Sequence, residues 1–141
     1  ERQLVRLRKV DKKARRFRVT NVQLVRIEAS YLIGRLIPEG SIQAFHIYFP
    51  DPWPKRRHQE RRLFKSGFVA DLYRTLRKGG VVNAATDEKD YFAEIEEVMV
   101  QAAQFTTAAP EQLPGEAMTE FERIFQAAGK QIYRSRYVRR D

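Results

Sequence analysis

Asp51 is the side chain in this sequence whose surroundings best suit it for chemistry. It lies in the run His46-Ile-Tyr-Phe-Pro-Asp-Pro-Trp-Pro-Lys-Arg-Arg-His-Gln-Glu-Arg-Arg62. The run starts as an apolar strand, turns on Pro50, Pro52 and Pro54, and becomes cationic at Lys55, Arg56, Arg57, Arg61, Arg62 and Lys65. Prolines at alternate positions stiffen the backbone, and a stiff loop at a strand end is a means of fixing a reacting geometry. Turn aspartates beside prolines are common, so placement at the strand end is what favours a functional role for Asp51. Six cations in eleven residues favour phosphate contacts over a plain solvated surface. Trp53 reads equally as a packed plug or as a platform for stacking a base, and His58 as a surface or phosphate contact. The combination suggests chemistry on RNA or DNA.

The whole chain agrees. Its 141 residues suffice for one domain with a core, and 27 Lys and Arg against 18 Asp and Glu give a formal net charge of +9. Such an excess points to a polyanionic partner, most commonly nucleic acid. Without cysteine, disulfides and thiolate metal sites are excluded, and two isolated histidines do not suggest a metal centre. No apolar stretch reaches the roughly 20 residues that span a bilayer. These features suggest a cytoplasmic protein with no membrane partner and no metal.

The elements that must position Asp51 follow from periodicity. Residues 2–17 place Leu4, Leu7, Val10, Ala14 and Phe17 on one helical face and cations on the others. Gln23 to Ala29 is β-rich and reads as a strand, followed by a short helix over 30–37 and a turn at Pro38-Glu-Gly-Ser41. Gln43 to Phe49 reads as a strand covered on both faces. Ser66 is a candidate cap for a helix that stops at Lys78-Gly79-Gly80. Val81 to Ala85 is a further strand ending at Thr86-Asp87, 89–104 a helix, 105–108 a short strand, 106–117 largely loop, 119–128 a helix and 131–139 a last strand. Thr119 and Glu122 have capping-box spacing. Alternating helices and short strands predict an α/β, doubly wound, mostly parallel sheet. In that class ligands sit at the carboxyl ends of strands, which puts Glu28, Asp51 and Asp87 on one rim. The cationic first helix and the cations at Lys130, Arg134, Arg136, Arg139 and Arg140 are weaker signals, since such faces are often only solvated.

At Phe49-Pro-Asp-Pro-Trp-Pro-Lys-x-Arg-His58 the chain resembles the tRNA (guanine-N7-)-methyltransferase family, whose fold is similar to other class I S-adenosylmethionine-dependent methyltransferases. The likeness continues through Arg61-Arg62-Leu63, Leu76-Arg-Lys-Gly-Gly80, Ala85-Thr-Asp87 and Thr119-Glu-Phe-Glu122, and so covers essentially the whole chain. It implies a Rossmann-like fold, one methyltransferase domain over 1–141, S-adenosylmethionine as cofactor, no metal, and tRNA as partner. By residue, it implies an active-site and cofactor-side role for Asp51. Glu1 would bind the cofactor ribose, and Glu28 would lie near the adenine. Lys55, Asp87, Thr119, Glu120, Phe121 and Glu122 would contact the substrate. Arg56, Arg57, Arg61 and Arg62 are expected to hold RNA phosphates. One departure stands out: the family's first strand and Glu-x-Gly-x-Gly loop are expected ahead of Glu1, so the domain reads as N-terminally truncated.

The resemblance implies methyl transfer to guanine N7. Two other readings compete with it: a non-catalytic basic RNA-binding module, and a methyltransferase acting on an exocyclic amino group. The loops of the latter read Asp-Pro-Pro-aromatic, whereas here the order is Asp51-Pro-Trp-Pro.

Overall fold

The structure, a computed structural model, describes residues 1–110 and 118–141. They form two compact units, Glu1–Ile37 and Pro38–Asp141.

The first unit holds α1 (Leu4–Arg16) and a short helix, α2 (Ala29–Tyr31), which widens into a π-helical turn over Leu32–Leu36. The expected apolar stripe of α1 is present, but only Leu7 and Ala14 on it are half-buried, while Leu4, Val10 and Phe17 are exposed. Ile33 is the unit's buried apolar residue. The strand expected over 23–29 does not form. Its Val, Leu and Ile content suits a pleated surface, but a strand needs a ladder partner, and none of the described residues provides one. Glu28 therefore does not lie at a strand end.

Among its described residues the second unit has a four-stranded sheet, three α-helices and one 3₁₀ helix. In chain order it has β1 (Ile42–Tyr48), α3 (Ser66–Thr75), β2 (Leu76–Thr86), α4 (Lys89–Gln101), β3 (Phe105–Ala108), α5 (Glu120–Ala127) and β4 (Tyr133–Arg139). The sheet order is β1-β2-β4-β3. β1 and β2 are parallel, joined through α3 as a crossover must be. β2–β4 and β3–β4 are antiparallel. The α/β Rossmann-like class expected from the sequence is thus present, although among the described strands only one ladder of three is parallel. The reason lies in the path of the chain: after α5 it re-enters the sheet at the carboxyl end of β2, with Tyr133 opposite Thr86, and so must run against it.

The core lies under β2. Its buried residues are Val82, Ala84 and Ala85 of β2, Phe64, Phe68, Val69 and Leu72 in and just before α3, and Tyr91, Ile95 and Met99 of α4. β1, expected to be covered on both faces, is instead at an end of the sheet with no fully buried residue. α3 ends earlier than the glycines suggested. Leu76 already has extended dihedrals, and residues 77–80 bulge out of the ladder between the pairs Ile42–Leu76 and Ala44–Val81. Gly79 takes a φ of +68°, and a Cβ on Gly80 would come within 2.8 Å of the Arg77 carbonyl, so the pair shapes this bulge rather than a helix stop. Nor does Ser66 cap α3: Lys65 holds the cap position, without a side-chain hydrogen bond.

Candidate active site

The parallel pair fixes the rim on which the candidate residues gather. Tyr48 stands opposite Ala85, and the Phe49 N–H still donates to the Ala85 carbonyl at 2.7 Å. The chain then leaves the sheet abruptly. Phe49 has a φ of +53° and Trp53 of +43°, left-handed conformations that strain aromatic residues and concentrate at functional sites. Prolines at 50, 52 and 54 confine their own φ, and the two bends fall on the residues just before Pro50 and Pro54. Asp51 sits between the bends, exposed, with no ion-pair partner among the described residues.

Both bends are held by aromatic contacts. The Phe49 ring meets Phe121 and Phe125 of α5 at centroid distances of 6.0 and 5.1 Å. Trp53 is half-buried, edge-on to His58 at 5.9 Å, with the Arg61 guanidinium 5.2 Å from its ring. Trp53 is thus packed against its own loop on at least one side. The cations after it form a 3₁₀ helix over Arg56–Arg61, and Lys55, Arg56, Arg57 and Arg61 are exposed.

Arg62 does not stand with them as a phosphate contact. Its side chain is 5% exposed and donates to the Pro52 carbonyl at 2.7 Å and to the Glu94 carboxylate at 2.6 Å, with the guanidinium 4.8 Å from the Tyr91 ring. It anchors the Asp51 loop to α4. Lys65 reaches the other Glu94 oxygen at 2.6 Å. Burial alone would raise the Glu94 pKa, but the hydrogen bonds and charges of Lys65 and Arg62 outweigh it and hold the carboxyl below its ordinary range. Burial raises the Tyr91 phenol, whose oxygen accepts from the Leu63 N–H at 3.0 Å.

Asp87 follows β2 on the same rim. Its carboxylate, 12% exposed, is 2.6 Å from Lys130 Nζ, which also lies 4.8 Å from the Phe125 ring. The hydrogen bond and charge of Asp87 raise the Lys130 pKa. Thr119 and Glu122 form the expected capping box: the Thr119 hydroxyl accepts from the Glu122 N–H at 3.2 Å, and the Glu122 carboxylate accepts from the Thr119 N–H at 2.5 Å. Glu122 is fully buried and also pairs with Arg134. Burial pushes its pKa up, and the Thr119 N–H and Arg134 together bring it below the ordinary value. Glu122 therefore supports α5 from within, whereas Glu120 and Phe121 are exposed at its start. Phe49, Asp51, Asp87, Phe121, Phe125 and Lys130 thus converge at one end of the second unit. The sequence reading missed Lys130 as Asp87's partner and Phe125 as the ring linking α5 to the loop. Only a Gly129-Lys130 step after a helix hinted at either.

Of the three acids expected at strand ends, Asp51 and Asp87 follow strands of the described sheet and Glu28 does not. In the first unit, Glu28 caps α2: its carboxylate accepts from the Ser30 and Tyr31 N–H groups at 3.1 and 2.8 Å and from the Ser30 hydroxyl at 2.6 Å. Desolvation opposes these contacts, which still lower its pKa. Glu1 accepts from the Gln3 N–H at 2.8 Å, the chief cause of its own lowered pKa. Among the described residues no group of three or more His, Cys, Asp and Glu is placed to hold a metal, and no helix is long and apolar enough to cross a membrane.

A family profile described as "Putative methyltransferase" matches residues 1–135. The chain belongs to this methyltransferase family. Among curated proteins it is similar to the tRNA (guanine-N(7)-)-methyltransferase of Chlamydia caviae, 32% identical over 99% of this chain and 64% of that protein. It is equally similar to the enzyme of that name from Thermotoga maritima, 32% identical over 89% of this chain and 40% of that protein. The family resemblance at the Asp51 loop is thereby borne out, with the chain spanning less than two thirds of the length of these relatives. Among solved structures it is similar to an rRNA methylase from Streptococcus thermophilus, with a TM-score of 0.63 at 13% identity over 100% of this chain and 71% of that one. A SAM-dependent O-methyltransferase from Thermotoga maritima gives a TM-score of 0.61 at 10% identity, over 100% of this chain and 48% of that one. These two show the shared methyltransferase fold.

Proposed function

We propose that this methyltransferase chain serves transfer of a methyl group from S-adenosylmethionine to N7 of a guanine in tRNA, in the cytoplasm. The observation that carries the reading is the Asp51 loop itself: an exposed carboxylate between two strained aromatic bends, at the carboxyl end of a parallel strand, followed at once by exposed cations. The matching relatives named for that activity support it. The family match runs through both compact units, which supports one catalytic domain.

The donor set fits the cofactor's chemistry. Its ribose hydroxyls and adenine amino group are hydrogen-bond donors and its sulfonium is cationic, so all three call for carboxylates. Glu1 and Glu28 would take the ribose and the adenine side, and Asp51 the sulfonium side. When bound, S-adenosylmethionine supplies an electrophilic methyl group. The Gln3 N–H on Glu1, and the Ser30 and Tyr31 N–H groups on Glu28, keep these two acids ionised and fixed in direction.

On the substrate side, guanine N7 has a free lone pair and no proton, so it needs no general base. The residues must align the base and stabilise the charge it gains. Methylation makes the purine cationic, and the Asp51 carboxylate favours that change. A carboxylate also accepts from guanine N1–H and the 2-amino group, donors that adenine lacks at those places. Asp87, braced by Lys130, is suited to that task. Lys55, Arg56, Arg57 and Arg61 would hold phosphates, and Thr119, Glu120 and Phe121 would border the base, with buried Glu122 fixing the start of α5 beneath them.

The test is methyl transfer to tRNA by the full-length protein, with the methylated atom mapped. Asp51→Ala is expected to lower the rate by about 10²-fold or more while tRNA binding persists. A wild-type rate in that variant would remove Asp51 from the site, and methyl found on an exocyclic amino group would remove the N7 reading.

A further inference from the structure

The chain's positive charge is segregated. Residues 1–37 hold eleven Lys and Arg against Glu1, Asp11 and Glu28, a net +8, whereas residues 38–141 hold sixteen cations against fifteen acids, a net +1. In the second unit much of the cationic charge is also committed within the fold. Arg62 and Lys65 hold Glu94, Lys130 holds Asp87, and Arg134 holds Glu122. Arg139 stacks on Tyr73 at 4.2 Å and donates to the carbonyls of Tyr73 in α3 and Leu76 at the start of β2. The pull on a polyanion that the net charge implies therefore comes chiefly from the first unit.

Within that unit the charge concentrates on α1, where seven of thirteen residues are exposed Lys or Arg and Asp11 is the one acid. At 3.6 residues per turn they cover the half of the helix opposite Leu4, Leu7, Val10 and Ala14. The unit's three acids offset only part of this charge: Asp11 is engaged with Arg15 at 3.0 Å, Glu1 lies 3.7 Å from Arg6, and Glu28 caps α2. Arg8 and Lys12, Lys9 and Lys13, and Lys12 and Arg16 stand one turn apart, and like charges at that spacing destabilise a helix. A bound polyanion removes that repulsion. At 1.5 Å per residue α1 is about 20 Å long, enough to follow several phosphates. Its Lys and Arg offer charge to phosphates, and α1 carries no Asn, Gln or aromatic side chain to read or stack on bases.

We infer that the cationic face of α1 is a sequence-independent binding surface for RNA phosphates, additional to the loop that follows Asp51. The identity of that RNA as tRNA rests on the reading given under Proposed function; the binding itself rests on the charge distribution.

The test uses the full-length protein with Arg8, Lys9, Lys12 and Arg16 all changed to Gln, and measures equilibrium binding of unmodified tRNA between about 50 and 200 mM salt. Binding weakens, and the slope of log affinity against log salt flattens by about 0.7–0.9 for each phosphate that is no longer neutralised, up to about 3.6 for four phosphates. The rate at saturating tRNA stays at the wild-type value. A second variant, Arg8→Lys, Lys9→Arg, Lys12→Arg and Arg16→Lys, keeps the wild-type slope. Far-ultraviolet circular dichroism shows whether the Gln variant keeps its helix. If it does not, Lys9→Gln and Lys12→Gln singly each lower the slope by about 0.7–0.9. An unchanged slope in the Gln variants overturns the inference, and so does equal weakening in the charge-conserving variant. Binding of wild-type protein to phosphatidylserine vesicles through α1, with the tRNA slope untouched by the substitutions, assigns the face to a membrane and also overturns it. Failure of the two ideas is distinguishable. Absent methyl transfer with an α1-dependent slope sinks the N7 reading alone, and methyl transfer with an unchanged slope sinks this one alone.

Discussion

Arg61 and Arg62 are adjacent, chemically identical, and placed in opposite surroundings. Arg61 is exposed beside the Trp53 ring; Arg62 is buried and bonded to Pro52 and Glu94. A cation run cannot separate them in sequence, because its composition carries no record of which member turns inward. What decides is Glu94, thirty-two positions away on α4. Changing Arg62 to Met is expected to cost roughly 3 kcal/mol of stability, the low end of the range for breaking a buried pair because Glu94 is partly exposed. Thermal or denaturant unfolding reads this directly. A variant as stable as wild type, with a flatter salt dependence of tRNA binding, would return Arg62 to the phosphate-binding group. Asp51 was legible in sequence for the opposite reason, since the prolines and the strand end beside it are all local.

The elements divide along the same line between local and distant causes. The capping box of α5 was readable from Thr119 and Glu122 because both partners lie within one turn. The burial of Glu122 and its pairing with Arg134 were not, since these need β4 to return along β2. That burial has a pH signature. The folded pKa of Glu122 is lowered, so the unfolded chain takes up a proton first as pH falls. The stabilisation is complete above the ordinary value of 4.5 and is lost as pH drops from there through the folded value. The slope from this one group is at most about 1.4 kcal/mol per pH unit. Unfolding free energies measured from pH 6 to 3 should fall less steeply in Glu122→Gln than in wild type over that window; identical slopes would show that Glu122 is not perturbed in the fold. The segment 23–29 failed as a strand for the complementary reason: β-propensity describes a surface waiting for a neighbour, and the described sheet supplies none.

For the whole molecule, the family, the α/β class and the rim bearing Asp51 and Asp87 could all be read from the sequence, because motif spacing and strand ends are linear features. The sheet order, the antiparallel return of β4 and the division of charge between the two units depend on how distant segments meet or on a sum over many residues, and no motif announces them. The place of β1 in that order affects how the chain behaves in solution. It forms a ladder with β2 on one side and with none of the described strands on the other, and Ala44, Phe45 and Ile47 along it are only half-covered. An apolar strand with an open row of N–H and C=O groups is a template for a second copy of itself. A 141-residue chain purified alone is therefore expected to self-associate as its concentration rises, visible as growing mass by light scattering. Ile47→Lys on that strand should suppress the growth, as charged residues do on natural edge strands; growth at the same rate would place the sticky surface elsewhere. The strand that supports Asp51 would then also set the solubility of the isolated chain.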